Sequence, residues 1–139
     1  MNLFILDTDT VSLFQRNHPA VRTAVLSHPI VELSISVLTV EEQLSGWYSE
    51  LRKAKNPPDL AAVYQRMTST VKFFAALQIL TFTEAAILRS DGLRQQKINI
   101  GKTDLRIAAV ALDHDATLVT RNVRDFSRVP GLRIEDWSK

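Results

Sequence analysis

Apolar residues in this chain occur in two spacings, one typical of short buried strands and one typical of amphipathic helices. Residues 3–6 form an apolar run that stops at Asp7, and residues 31–37 alternate between apolar and polar side chains. Three further short runs follow, at residues 77–82, 116–119 and 132–134. Because short runs bounded by polar or turn residues suit buried strands, these segments predict five β-strands.

Helical spacing fills the intervals between the predicted strands, and helices are expected near residues 8–17, 19–28, 40–53, 59–77, 83–97 and 101–114. Thr39 and Glu42 have the spacing of a capping box, which predicts that the third helix begins at about Val40. Strands that alternate with helices predict the α/β class, with one parallel sheet and helices on both of its faces. The chain has no linker or internal repeat, so we expect a single domain over residues 1–139.

Four acidic residues are expected at one edge of this sheet. Asp7 follows the first strand, and Asp125 follows the fourth. Glu42 and Asp104 are predicted in the first turns of two helices, where the helix dipole favours a negative charge. Because ligands of parallel α/β sheets bind beyond the carboxyl ends of the strands, we expect these four carboxylates to converge.

A cluster of carboxylates needs a positive partner. Two carboxylates about 4 Å apart repel each other by roughly 4 kcal/mol at an effective dielectric constant near 20. Either some of them stay protonated or a cation lies between them, and oxygen ligands suit Mg²⁺ or Mn²⁺. A metal held in this way leaves positions open for a phosphate oxygen and an attacking water. Each acid alone fits an ordinary strand-end or capping role, so the joint placement carries the prediction of a metal-dependent site.

Composition narrows the classes of function. The chain has 139 residues, no cysteine and three scattered histidines, which excludes disulfide scaffolds, thiolate zinc sites and cysteine nucleophiles. It has no basic leader before an apolar stretch and no apolar run near the roughly 20 residues of a membrane span, so a cytoplasmic protein is expected. The net charge is +2, yet residues 51–103 carry nine basic and three acidic side chains. This bias suits a polyanion bound beside an acidic site, although basic helix surfaces alone also produce it.

Five segments carry a recognisable pattern: LDTDT at residues 6–10, TVEE at 39–42, IGKTD at 100–104 followed by IAA at 107–109, TRNVRDF at 120–126, and PGLRIEDW at 130–137. In this order and spacing they resemble the PIN-domain ribonucleases, specifically the VapC-type toxins of toxin–antitoxin pairs. The resemblance implies a PIN-like three-layer sandwich and a Mg²⁺- or Mn²⁺-dependent endoribonuclease that hydrolyses tRNA or another structured RNA. It also implies an inhibitory VapB-type antitoxin and a homodimer, without membrane association.

The same resemblance assigns roles to the four acids. It implies that Asp7 and Asp104 are metal ligands and that Glu42, rather than Glu41, is the acid of the helix after the second strand. Asp125 matches the last acid of members whose motif ends in acid-Phe, and it acts directly or through water.

Other residues near the motifs have more than one interpretation. Thr120 and Asn122 are expected to orient Asp7 or a water molecule. The family usually has asparagine where this chain has Asp9, which either satisfies local backbone N–H groups or adds a negative charge beside the metal. Arg121 and Arg124 are expected to grip the RNA backbone, receive an acidic antitoxin tail, or pair with Asp125 and Glu135. Lys102 either holds a phosphate or is simply solvated.

Two other classes of function remain open from the sequence. One is a non-catalytic module on the same fold that binds RNA or protein and keeps its acids for structure. The other is a phosphatase or receiver-like domain with Asp7 as nucleophile, which ranks low because Lys102 lies on the wrong element for that chemistry.

Overall fold

The computed structural model describes residues 2–139, and its centre is a five-stranded parallel sheet with strand order β3-β2-β1-β4-β5. The strands are β1 (Phe4–Leu6), β2 (Leu33–Ser36), β3 (Gln78–Leu80), β4 (Thr117–Val119) and β5 (Arg133–Glu135). All four strand pairings are parallel. The predicted α/β class and five parallel strands are therefore confirmed. The strand order reverses between β1 and β4, and the crevice at such a switch point is where ligands of open α/β sheets bind.

Seven α-helices connect the strands: α1 (Thr8–Gln15), α2 (Pro19–Ser27), α3 (Val37–Lys53), α4 (Pro57–Ala75), α5 (Glu84–Gln95), α6 (Lys102–Asp113) and α7 (Val123–Phe126). Side-chain caps fix where the longer helices begin. Ser36, Asn56 and Thr83 precede α3, α4 and α5, and the side chain of each accepts the backbone N–H three residues later. None of the helices within residues 2–139 combines the length and apolar composition that crossing a membrane requires.

The predicted start of the third helix is wrong. Thr39 lies inside α3, and its backbone N–H donates to Ser36 Oγ at 3.3 Å, so Ser36 is the cap and the helix begins at Val37. The strand before it is correspondingly shorter, since residues 30–32 form a 3₁₀ turn and Val31 is 64% exposed. As a result, Glu42 lies in the second turn of α3, beyond the first-turn position where the helix dipole was expected to favour its charge.

The core lies on both faces of the sheet, because successive strand residues point to opposite sides. Ile5 and Leu118 pack on one face against buried residues of α5 and α6. Leu6 and Val119 pack on the other face with buried residues of α1, α2 and α4. This arrangement is the expected three-layer sandwich, and it holds the ends of β1 and β4 rigidly beside each other.

Candidate functional site

Asp7 occupies the central position at the carboxyl edge of the sheet. It follows β1 directly, and its backbone N–H donates to Val119 O of the neighbouring strand at 3.1 Å. Its carboxylate caps α1 by accepting the backbone N–H of Thr10 at 2.8 Å. The strand end and the helix start therefore fix this side chain from both directions.

Asp7 is only 6% exposed, and this burial raises the pKa of its carboxylate above the usual value for aspartate. Hydrogen bonding from Thr120 and Thr10 acts in the opposite direction by favouring the charged form. Thr120 is fully buried, and its hydroxyl oxygen accepts the backbone N–H of Asn122 at 3.0 Å, which leaves its own proton available for Asp7. Thr120 thus lies beside the carboxylate of Asp7, the side chain that it was expected to orient.

Asp104 enters the same region from the first turn of α6. Partial burial raises its pKa, and the negative charges of Asp7, Glu42 and Asp125 raise it further. The negative charges of the other three acids therefore all act on the carboxylate of Asp104.

Glu42 reaches this region from the second turn of α3 and is exposed. Its Oε1 accepts a hydrogen bond from the Thr8 hydroxyl at 2.5 Å, and that hydroxyl lies 3.1 Å from Thr39 Oγ1. Thr8 and Thr39 were not predicted to hold Glu42 in place. The position of Thr8 directly after Asp7 indicated that it lies near the site. Its contact with Glu42 could not be predicted, because the two residues are 34 positions apart in the sequence.

These residues line a pocket of about 590 Å³, which we call the acidic pocket. Its walls include predicted residues from both halves of the chain: Asp7, Asp9, Glu42, Asp104, Arg121 and Asn122. They also include Thr8, Ser12, Ile107 and Phe126, which were not singled out as site residues. Ser12 and Ile107 stand three residues after Asp9 and Asp104 on their helices, so helical spacing was the signal that would have found them.

Asp9 and Arg121 form a two-pronged ion pair at this pocket. Arg121 Nε donates to Asp9 Oδ2 at 2.9 Å, and a second guanidinium nitrogen donates to Oδ1 at 3.2 Å. The alternative in which Asp9 satisfies local backbone N–H groups is wrong, because both of its carboxylate oxygens accept from Arg121. The alternative in which Arg121 pairs with Asp125 or Glu135 is wrong for the same reason.

Asp125, Arg124 and Lys102 do not line the acidic pocket. The Asp125 carboxylate accepts a hydrogen bond from the Asn122 side chain at 3.1 Å and lies 3.6 Å from the guanidinium of Arg128. Asp125 therefore lies beside the pocket and contacts its wall through Asn122, and its action on a metal, directly or through water, stays a prediction.

The donor set of the pocket suits a hard divalent cation. No three acidic or histidine side chains within residues 2–139 are arranged to ligate one ion together. Mg²⁺ commonly uses only one or two protein carboxylates and keeps several waters, so a pair such as Asp7 and Asp104 is a set of the size that this ion uses. The repulsion that raises the pKa of Asp104 is also what a cation would relieve.

Comparison with known proteins gives a consistent result across the chain. A family model described as PIN domain matches residues 4–132. A tRNA(fMet)-specific endonuclease VapC of Salmonella typhimurium is 29% identical, with 96% of this chain and 97% of the relative covered. Ribonuclease VapC1 of Rickettsia felis is 32% identical, with 94% and 92% covered. The structure of DNA-bound VapBC from Salmonella typhimurium superimposes with a TM-score of 0.83 at 27% identity, over 99% of both chains.

Proposed function

The chain belongs to the PIN-domain family, and on that basis we propose that it is an endoribonuclease that uses Mg²⁺ or Mn²⁺ to hydrolyse RNA at the acidic pocket. The observation that carries the proposal is the placement of Asp7 and Asp104 in one pocket at the switch point of the sheet, both with raised pKa values. Ionised carboxylates that are shielded from water and close to other negative charges destabilise a fold, and a bound divalent ion would offset that cost.

In this proposal Asp7 and Asp104 are the residues that would hold the metal. When bound there, a divalent ion would supply positive charge for the phosphate and would make water easier to deprotonate at neutral pH. Thr120 and the backbone of Thr10 hold Asp7 in its orientation and keep it ionised once the cation is present. Glu42, fixed by Thr8, is placed at the pocket wall to accept a proton from the attacking water.

Arg121 is the residue of the pocket best suited to contact RNA. Its pair with Asp9 uses two of the five N–H donors of the guanidinium, which leaves donors for a phosphate oxygen. Asp9 therefore acts as a positioning residue in this account, because it holds the guanidinium of Arg121 at the edge of the pocket.

Replacing Asp9 with asparagine tests this role by the sign of its effect. If Asp9 positions Arg121, the Asp9→Asn variant should show a KM for RNA about threefold to tenfold higher, with kcat nearly unchanged, since a charge-assisted pair contributes roughly 1 kcal/mol. If Asp9 only repels RNA, removing its charge should lower KM. Steady-state cleavage kinetics distinguish the two results, and Asp91→Asn, on the exposed surface of α5, is the matched control for loss of one negative charge.

The partners follow from the same proposal. The relatives include a tRNA(fMet)-specific endonuclease, and the similar structures include a DNA-bound VapBC complex. For this chain we propose a structured RNA such as tRNA as substrate, a VapB-type antitoxin as inhibitor, a homodimer and a cytoplasmic location. Lys102 and Arg124, outside the acidic pocket, are candidate contacts for RNA beyond the cleaved bond.

A cleavage assay tests the proposed function. The purified protein should cut tRNA into discrete fragments in Mg²⁺ or Mn²⁺. Cleavage should stop when EDTA is added. RNA that stays intact in both metals, while still binding the protein, would favour the non-catalytic alternative.

A further inference from the structure

A second and larger groove adjoins the acidic pocket. It has a volume of about 740 Å³, is lined by residues of α1, α3 and α4, and is called here the helix groove. Ser12 lines both the helix groove and the acidic pocket. On α3, Glu42 lines the acidic pocket, and the next residue, Gln43, lines the helix groove. The two cavities therefore adjoin each other along α1 and α3.

The walls of the helix groove present aromatic surface. Phe14 and Phe73 stack with their ring centroids 5.1 Å apart and an angle of 25° between planes. The guanidinium of Arg22 lies 5.8 Å from the centroid of Phe14. Trp47 adds a third aromatic ring to the lining. Aromatic faces beside an arginine are the combination on which bases of single-stranded nucleic acids stack.

The polar groups of the groove favour an anionic ligand. Three arginines line it, at positions 16, 22 and 66, against one acid, Glu50, which lies 3.9 Å from Arg66. The indole nitrogen of Trp47 is buried without a hydrogen-bond partner, the one such side-chain atom within residues 2–139. Because this nitrogen has no surface open to the groove, it adds nothing to ligand binding, and the preference for an anion comes from the three arginines.

We propose that the helix groove is a nucleotide subsite that takes one unpaired base of single-stranded RNA next to the phosphodiester in the acidic pocket. This inference rests on the proposed nuclease function, since the acidic pocket defines where the phosphate lies. The shared wall with that pocket and the excess of arginine favour RNA over a peptide as the occupant. Trp47 and Arg16 are the residues that the base and its phosphate would contact.

Binding of a fluorescent 2′-O-methyl RNA oligonucleotide in EDTA tests the subsite without cleavage. Trp47→Phe replaces the indole with a smaller ring that offers a base less surface for stacking, and we expect about a fivefold rise in Kd. Arg16→Ala should produce a rise of about the same size, whereas Arg89→Ala, on the exposed surface of α5, should produce almost none. An unchanged thermal melting curve for each variant shows that the fold is intact.

An abasic residue, introduced at each position of the oligonucleotide in turn, tests the base itself. At one position the abasic residue should raise the Kd of the wild-type protein roughly tenfold. The same change should raise the Kd of Trp47→Phe by a smaller factor. Equal affinity for every abasic oligonucleotide, or variants that weaken only the binding of a partner protein, would overturn the subsite. Groove-dependent binding without cleavage of unmodified RNA in Mn²⁺ would instead overturn the nuclease function and leave the groove as a base-binding site.

Discussion

Replacing Asp104 with asparagine should reduce RNA cleavage by about a thousandfold or more, which corresponds to roughly 4 kcal/mol of lost transition-state stabilisation. Asparagine keeps the size of the side chain but removes the negative charge that would hold a divalent cation. Asp7→Asn should have a similar effect, and because asparagine can still accept the N–H of Thr10, the cap of α1 is preserved. Single-turnover cleavage at saturating Mn²⁺ measures both losses.

Asp125 and Asp91 provide a graded comparison for these variants. Asp125→Asn should cost only about tenfold to a hundredfold, because Asp125 contacts Asn122 and Arg128 and does not line the pocket. Asp91→Asn, on the far exposed surface of α5, should retain full activity. If Asp104→Asn cleaved RNA as fast as Asp91→Asn, Asp104 would have no part in the chemistry.

The same acids should make stability respond to metal and to mutation in opposite ways. Burial raises the pKa values of Asp7 and Asp104, and other negative charges nearby raise each of them further, so the folded state holds their protons more tightly than the unfolded state does. Their contribution to stability is therefore greatest below the unfolded value of 3.8 and declines as the pH rises through the raised folded values. At neutral pH without metal, each ionised carboxylate destabilises the fold, and Asp104→Asn should raise Tm.

Added Mn²⁺ should reverse the order of the two Tm values, so that the wild-type protein melts at a higher temperature than Asp104→Asn. At a hundred times Kd, a ligand that binds only the folded state adds about 2.7 kcal/mol, which for a domain of this size is a Tm increase of roughly 5–10 °C. The wild-type protein should show this increase, and Asp104→Asn should not. Calorimetry or fluorescence-monitored melting measures both effects. Equal responses of the two proteins to Mn²⁺ would place the ion elsewhere on the molecule.

Much of the site follows from sequence because it depends on where strands stop. Asp7 ends an apolar run, and Asp104 opens a strongly amphipathic helix, so local pattern and parallel topology together place them at one sheet edge. The start of α3 was misplaced because Ser36 and Thr39 both have hydroxyls suited to a cap. Ser36 accepts the N–H bond, and the Thr39 hydroxyl lies instead 3.1 Å from that of Thr8, a contact over 31 residues that local spacing does not encode.

Contacts between distant segments could not be predicted. Asp9 and Arg121 are 112 residues apart, and their pairing arises only because β1 and β4 are neighbours in the sheet. Asp125 shows the same limit, since its spacing matches the motif while its side chain turns to Asn122 and Arg128. The helix groove also has no sequence signature, because Phe14, Trp47 and Phe73 come from three separate helices.

Anomalous diffraction from crystals grown with Mn²⁺ examines the proposed metal site most directly. The account predicts one strong peak within bonding distance of the carboxylates of Asp7 and Asp104, which disappears in Asp104→Asn together with RNA cleavage. A protein that cleaves RNA at full rate with no ion bound to these two carboxylates would contradict it.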